Sequence, residues 1–275
     1  GSGKTHLINR YIAYLRESDI DIGITASTGI AATHMGGVTI HSWAGIGVAA
    51  HLSPYDLEAM LEKGYLYKRF EKVKVLIIDE VSMLHHFRLD LVNSVLKTMK
   101  RGGKPFGGIQ VILCGDFFQL PPIARFGEPA AQFVYASDAW KEADFTICYL
   151  SEQFRQQDDV AISILNEIRS GEVSAAAREH LRGRYNVRSP KFTASTKLFT
   201  HNADVDTLND SELKRIEGDE ITSYIMGSKG KEAIATTLKK SCLAPETLRL
   251  KPGARVMCVK NNFEAGYVNG TLGVV

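Results

Sequence analysis

Val75-Leu76-Ile77-Ile78-Asp79-Glu80 is an apolar strand that runs directly into two acids. On either side of it, short apolar runs alternate with amphipathic ones, the pattern of a parallel α/β sheet. Ile20–Thr25, Val73–Ile78, Ile109–Cys114 and Phe145–Leu150 read as strands. Helices fall between them, clearest at Phe87–Lys100, where Leu89, Val92, Val95, Leu96 and Met99 share one face. In such sheets ligands bind outside the carboxyl ends of the strands. Thr28, Asp79, Glu80 and the stretch from Asp116 to Gln119 all fall there, so segments far apart in sequence are expected to converge.

The first five residues, Gly1-Ser2-Gly3-Lys4-Thr5, are the back half of a phosphate-binding loop. Glycines let backbone N–H groups curl around phosphates, Lys4 would reach the β- and γ-phosphates of ATP, and the Thr5 hydroxyl would hold Mg²⁺. Leu7, Ile8, Tyr11, Ile12 and Leu15 then recur at helical spacing, as the loop requires. The loop's first glycine and its preceding strand are absent, so the chain reads as part of a longer protein. Acids after a buried strand are common, but beside Lys4 and Thr5 the pair gains a task. Asp79 would coordinate Mg²⁺ and Glu80 would polarise the water that attacks the γ-phosphate.

A chain of 275 residues suffices for one large domain or two modest ones, and 44% apolar with 23% charged residues is ordinary for a globular protein. With a net charge of +2, a nucleic-acid site has to be a local groove rather than a basic face. Cys114, Cys148, Cys242 and Cys258 form no Cys-x-x-Cys pair, which points to buried, reduced thiols of an intracellular protein rather than zinc or disulfides. His85 and His86 lack companion ligands at a metal-binding spacing. No apolar run reaches membrane-spanning length.

Beyond Leu150 the pattern is less regular. Val160–Ile168 and Ala203–Ile216 read as helices and Leu198-Phe199-Thr200 as a short strand. Residues 217–247 give no clear element and read as a surface insertion. Arg255–Val259 and Thr271–Val275 read as strands joined by turn residues Val268-Asn269-Gly270.

Gly115-Asp116-Phe117-Phe118-Gln119-Leu120-Pro121-Pro122 follows another apolar strand. Gln119 can donate and accept, which suits sensing a γ-phosphate or holding water. The prolines stiffen the exit from the site, and the two phenylalanines are expected to be buried. This octet, with Pro105-Phe-Gly-Gly-Ile-Gln110 before it, resembles the PIF-type DNA helicases, superfamily 1B motors related to RecD-like helicases. Thr25-Ala-Ser-Thr-Gly-Ile-Ala-Ala32 and Thr39-Ile-His-Ser-Trp-Ala-Gly-Ile46 are similar to the family's first DNA-contact motifs. Leu150-Ser-Glu-Gln-Phe-Arg155 with Leu165-Asn-Glu-Ile-Arg169 is similar to its fourth, and Leu198-Phe-Thr-His-Asn202 and Val268-Asn-Gly-Thr271 to later landmarks. His85-His86-Phe87-Arg88-Leu89-Asp90 leans towards bacterial members.

The resemblance implies a P-loop NTPase fold: a RecA-like motor domain at 1–150, then a partial second RecA-like domain at 151–275 that ends near a small β-barrel insertion. It implies ATP and Mg²⁺ as cofactors and 5′-to-3′ translocation on single-stranded DNA with unwinding at duplex junctions. Repair, recombination, replication or telomere maintenance is the implied setting. A monomer without membrane association is expected, in the bacterial cytoplasm with the nucleoid, or in the nucleus or mitochondrion of a eukaryote. Gly1, Ser2, Gly3, Lys4 and Thr5 match the phosphate loop, Asp79 and Glu80 the Mg²⁺ and water motif, and Gln119 the γ-phosphate sensor. Arg155 matches an arginine that reaches the γ-phosphate across the cleft; without the family it would read as an ion pair with Glu152.

Thr28, Gly29, Thr39 and His41 are small or short donors in loops, which suits contacts to phosphates rather than bases. His201 and Asn202 are expected to grip the backbone from the second domain. His41 reads equally as a satisfied loop histidine. Trp43 could stack on a base, though beside Gly45 and Gly47 burial is the preferred reading. Later family motifs, Ser-x-Gln-Gly and a Ser-Arg pair with a second catalytic arginine, do not occur before Val275, so the piece alone is not expected to act as a helicase. Three other readings remain: a RecD-like or relaxase-linked module, a DNA-binding remnant without hydrolysis, and a P-loop ATPase unrelated to DNA.

Overall fold

The apolar run at 75–79 becomes strand β3 (Val75–Asp79), buried along its whole length. The computed structural model describes residues 2–124, 127–153, 158–187, 196–218, 221–230, 232, 235, 236, 239, 242, 244–259, 262, 264–267 and 270–275. The chain divides into two units, Gly1–Tyr185 and Asn186–Val275.

In the first unit the elements run α1 (Lys4–Glu17), β1 (Ile22–Ala26), α2 (Gly29–His34), β2 (Val38–Thr39), α3 (Ile40–Trp43), α4 (Pro54–Leu61), α5 (Gly64–Lys72), β3, α6 (His86–Lys100), β4 (Gln110–Leu113), α7 (Asp138–Ala143), α8 (Asp159–Ser170) and α9 (Ala175–Gly183). The strands form one sheet in the order β2-β1-β3-β4, every pair parallel.

Both faces of this sheet are covered, which is why β3 shows no polar alternation. Leu76 and Ile78 pack into a large cluster with Trp43, Phe70 and the apolar face of α6, including Leu89, Val92, Val95 and Leu96. Val75 and Ile77 face the other way, onto Ile8, Ile12 and Leu15 of α1. Trp43 is 5% exposed and meets Phe70 edge-to-face at 5.0 Å, in line with its expected burial. Gly23 of β1 makes room for it: a Cβ there would lie 2.7 Å from the indole ring.

The register lines up the carboxyl ends of the strands. Ala26 stands opposite both Thr39 and Asp79, and Ile78 opposite Leu113. The expected strands at 20–25, 73–78 and 109–114 are thus present: β1 and β3 start two residues later and end one later, and β4 is a residue shorter at each end. Phe145–Leu150 departs from expectation and forms no ladder among the described residues. Ile147 and Tyr149 are exposed there. A strand exists through its partner rather than its propensity, and β4 pairs only with β3 among the described strands. Between β2 and β3 the helices that the sequence pattern left unplaced include α4 and α5. Ser53 and Asp56 cap α4 with a reciprocal capping box, and α5 buries Leu66 and Phe70.

The second unit contains α10 (Asn202–Arg215), β5 (Thr222–Ile225), β6 (Thr247–Leu250), β7 (Arg255–Met257) and β8 (Leu272–Val274). β5 pairs antiparallel with β6, and β7 with β8. The helix near 203–216 and the strands near 255–259 and 271–275 match the sequence pattern. β5 lies within the stretch that gave no clear element, and 198–200 form no strand. Lys251, 7% exposed, donates to the carbonyls of Ile216 and Gly218 at 3.1 and 2.7 Å, tying the end of α10 to the sheet region. Among the described residues no helix is long and apolar enough to cross a membrane.

Candidate nucleotide and nucleic-acid site

Helix α1 begins where the phosphate-loop pattern requires. Gly3 precedes it in the left-handed region (φ 80°, ψ 14°), a conformation that costs glycine little. Its carbonyl accepts the N–H of Leu7 at 3.0 Å, which closes the first turn. Ser2, Gly3 and Lys4 are half-buried and Thr5 is exposed. Gly1 lies outside the described residues.

Asp79 ends β3 with its carboxylate buried, the residue 5% exposed. Its Oδ1 accepts the N–H of Glu80 at 2.8 Å. Glu80 adopts left-handed backbone angles (φ 52°, ψ 45°), which for a non-glycine residue cost on the order of 1–3 kcal/mol. Ser27, just past β1, holds this strained corner from the neighbouring strand. Its N–H donates to the Asp79 carbonyl at 3.1 Å, and its hydroxyl to the Glu80 carbonyl at 2.6 Å.

Cys114, just beyond β4, closes the group. Burial pushes its thiol up to about 12, reinforced by the charge of Asp79 and a hydrogen bond to that carboxylate; Lys4 pulls the other way and Glu80 adds to the rise. Lys4, Asp79 and Glu80 therefore act on one shared neighbour. Sequence reasoning missed the parts played by Ser27, inside a motif it quoted, and Cys114, the last residue of a strand it predicted.

The octet at 115–122 leaves from the same point. The Val81 N–H donates to the Cys114 carbonyl at 3.0 Å. A Cβ on Gly115 would meet Val81 Cγ2 at 2.9 Å and its backbone nitrogen at 3.1 Å, so glycine is needed for this close approach. Asp116 then organises a turn: its carbonyl accepts the Gln119 N–H at 2.9 Å, Oδ1 accepts the Phe118 N–H at 3.1 Å, and Oδ2 accepts Gln119 Nε2 at 3.3 Å. Arg169, in the last turn of α8, makes an ion pair with the same carboxylate at 2.6 Å. That guanidinium holds the Asp116 carboxyl down at about 2, with the Phe118 and Gln119 hydrogen bonds assisting against burial.

Of the two phenylalanines expected to be buried, Phe117 packs edge-to-face on Phe133, Tyr135 and Trp140. Phe118 does not: it is 71% exposed and lies under Arg169, whose Cζ is 4.9 Å from the ring centre. Two consecutive side chains in a turn cannot both face one core. Arg155 falls outside the described residues.

Thr28 stands beyond the end of β1, and Thr39 is the last residue of β2. Each hydroxyl caps a short helix, accepting from the Ala31 N–H and the Ser42 N–H at 3.3 Å. An accepting hydroxyl keeps its own O–H to donate. Gly29 opens α2, exposed, and a Cβ there would meet nothing within 4 Å. His41 lies half-buried in α3. In the second unit His201 precedes α10 without a side-chain hydrogen bond to its first turn, with Nδ1 2.9 Å from the Thr200 hydroxyl and 4.0 Å from Asp204; Asn202 is the first residue of that helix.

The donor set fits a nucleotide with a hard divalent cation. Asp79 offers a buried carboxylate that accepts the Glu80 N–H through Oδ1 and also pairs with the Cys114 thiol, and Thr5 offers a hydroxyl in the first turn of α1. Mg²⁺ is typically held by one or two such protein oxygens together with phosphates.

Comparison with known proteins covers most of the chain. The model described as PIF1-like helicase matches residues 1–179, and that described as DNA helicase Pif1, 2B domain, matches residues 234–275. The ATP-dependent DNA helicase Pif1 of Psychrobacter sp. (strain PRwf-1) is 49% identical over 282 residues, covering 99% of this chain and 42% of that protein. The crystal structure of Pif1 helicase from Candida albicans is 36% identical with a TM-score of 0.81, and covers all of this chain and 63% of that one. That of Pif1 helicase from Bacteroides in complex with ADP-AlF3 and single-stranded DNA is 31% identical with a TM-score of 0.66, at the same coverage. The chain thus spans under two thirds of the length of these relatives. It belongs to the PIF1-like helicase family.

Proposed function

We propose that this chain is part of an ATP-dependent DNA helicase that moves 5′ to 3′ along single-stranded DNA and unwinds duplexes at junctions. The observation that carries the reading is the corner at the carboxyl end of β3, where Asp79 and Glu80 are held by Ser27 from beyond β1 and abut Cys114 from beyond β4. Family membership supports it, as does a relative crystallised with ADP-AlF3 and single-stranded DNA.

Gly1, Ser2 and Gly3 would cradle the phosphates through backbone N–H groups, and Lys4 would neutralise charge on the β- and γ-phosphates. Thr5 and Asp79 would hold Mg²⁺, which supplies charge neutralisation across the phosphates. Glu80 would orient and polarise the attacking water. As the water oxygen bonds to the γ-phosphorus, the bond to the bridging oxygen breaks and ADP is released. Gln119 would sense the γ-phosphate, and Arg155 would add a finger whose worth in other enzymes is roughly 10³–10⁵ in rate.

Thr28, Gly29, Thr39 and His41 would contact the DNA backbone from the first domain, and His201 and Asn202 from a partial second RecA-like domain. Closure of the two domains on ATP and reopening after hydrolysis would shift these grips in turn. Such a motor would work as a monomer in replication, recombination or repair, and in a bacterium it would act in the cytoplasm at the nucleoid.

The test uses the full-length protein on duplexes carrying a 5′ or a 3′ single-stranded tail, with ATP and Mg²⁺. Unwinding of the 5′-tailed substrate alone is expected, and Lys4→Ala should abolish it. A 3′ preference would overturn the polarity. ATP hydrolysis indifferent to single-stranded DNA would overturn the helicase reading.

A further inference from the structure

Arg169 and Asp116 are 53 residues apart in sequence, yet the guanidinium meets the carboxylate at two points. Nη1 donates to Oδ1 at 3.1 Å and Nη2 to Oδ2 at 2.6 Å. The planar fork of arginine fixes a carboxylate's rotation in a way a single-point cation cannot. With its rotation set, the same carboxylate holds the Phe118 N–H through Oδ1 and the Gln119 side-chain amide through Oδ2. The guanidinium also covers the exposed Phe118 ring. The Phe118 N–H, the Phe118 ring and the Gln119 side-chain amide are thus all referred back to one side chain on α8.

The arginine is half exposed, at 48%, while Asp116 is at 15%. An ion pair open to water on one side contributes little to stability, so its worth lies in geometry. Helix α8 also carries Asn166, whose Oδ1 accepts Gln153 Nε2 at 2.9 Å. One helix therefore grips both the turn after β4 and the segment that leads into the helix itself.

We propose that Arg169 is a positioning residue for ATP hydrolysis: it locks Asp116, and Asp116 holds the Gln119 amide so that Oε1 stays available as an acceptor. The inference rests on the assignment of Gln119 to the γ-phosphate. It predicts an effect on turnover rather than on nucleotide affinity, because a misplaced sensor spoils the reacting geometry and leaves the phosphate cradle intact.

The experiment is a double-mutant cycle on the full-length protein. It measures kcat and KM for single-stranded-DNA-stimulated ATP hydrolysis, with melting temperatures for each variant. Arg169→Ala is expected to lower kcat by about 10- to 100-fold with KM for ATP within about 3-fold of wild type. In the Gln119→Ala background the same substitution should add nothing, since both act through one group. Arg169→Lys should recover part of the rate, and Lys141→Ala, in an exposed pair with Asp138, should change nothing. Where alanine lowers the melting temperature, Arg169→Lys replaces it in the cycle. Multiplicative losses in the double variant, or an unchanged kcat in Arg169→Ala, would overturn the proposal and leave a structural ion pair. An inert Gln119→Ala would overturn the sensor assignment, and a wild type without DNA-stimulated hydrolysis would overturn the motor reading and this inference with it.

Discussion

Arg88, in the first turn of α6, reaches Glu128 at 2.7 Å, and the two side chains are only 5% and 13% exposed. The same guanidinium donates to the carbonyl of Val48 at 3.1 Å and to that of Ala49. It thereby pins the loop after α3 to the loop that follows Pro121 and Pro122. Removing one partner of a buried pair leaves an uncompensated charge, at a typical cost of about 3–5 kcal/mol. Arg88→Ala is expected to fall at the lower end of that range in urea unfolding. The apolar pair Arg88→Met with Glu128→Leu should regain only part of the loss, because the Val48 and Ala49 carbonyls stay orphaned. Full recovery would mean that the carbonyl bonds carry nothing.

Gly23→Ala tests the packing under the sheet. The added methyl would stand 2.7 Å from the Trp43 ring, in a strand buried on both faces, so the indole has to move. Overpacking of this kind costs about 1–3 kcal/mol. Loss of stability with a red shift in tryptophan emission is expected, and Trp140→Phe in the background isolates the Trp43 signal. An unchanged emission maximum would show that the sheet, not the ring, had yielded.

The sequence exposed the sheet more readily than the supports around its site. β3 is legible because it is buried on both faces and ends in acids, and the register that brings Ala26 beside Asp79 follows from parallel pairing. Helix α4 carried a readable signal, the Ser53–Asp56 capping box, but its short span gives little periodicity. Phe145–Leu150 has strand-like composition without a ladder, since composition says nothing of which edge is available. The bond from Arg169 to Asp116 could not be read at all: its partners lie in separate motifs, and long-range side-chain pairing leaves no local pattern. Phe118 was misplaced for the same reason, as its cover is a distant arginine.

Cys114 should resist alkylation. Burial and the Asp79 carboxylate push its thiol up to about 12, and only the thiolate reacts. At pH 8 the thiolate fraction is about 10⁻⁴, more than 100-fold below that of a free cysteine near 8.5. Cys148 and Cys242 are exposed rather than buried as the sequence suggested, and iodoacetamide is expected to label them first, as mass spectrometry of timed digests would show. Asp79→Asn should speed labelling of Cys114 by removing the neighbouring charge. Equal rates at all three cysteines would refute the shared environment of Cys114, Asp79 and Lys4.

The Asp116–Arg169 pair also sets an acid limit. The Asp116 carboxyl is held at about 2, chiefly by the Arg169 hydrogen bonds, whereas an unfolded aspartate titrates near about 3.9. Because the folded value is the lower one, the unfolded chain takes up the proton first. The pair's contribution, small because Arg169 is open to solvent, is therefore complete above about pH 4 and is lost as pH falls through about 2. Asp116→Asn removes the titration. The melting-temperature gap between wild type and this variant should be constant from pH 7 to 5, then narrow below about pH 4. Because Arg169 is 48% exposed, added salt should narrow the gap at pH 7 as well. A gap that widened in acid would mean that the carboxyl, not the carboxylate, is the favoured partner of Arg169.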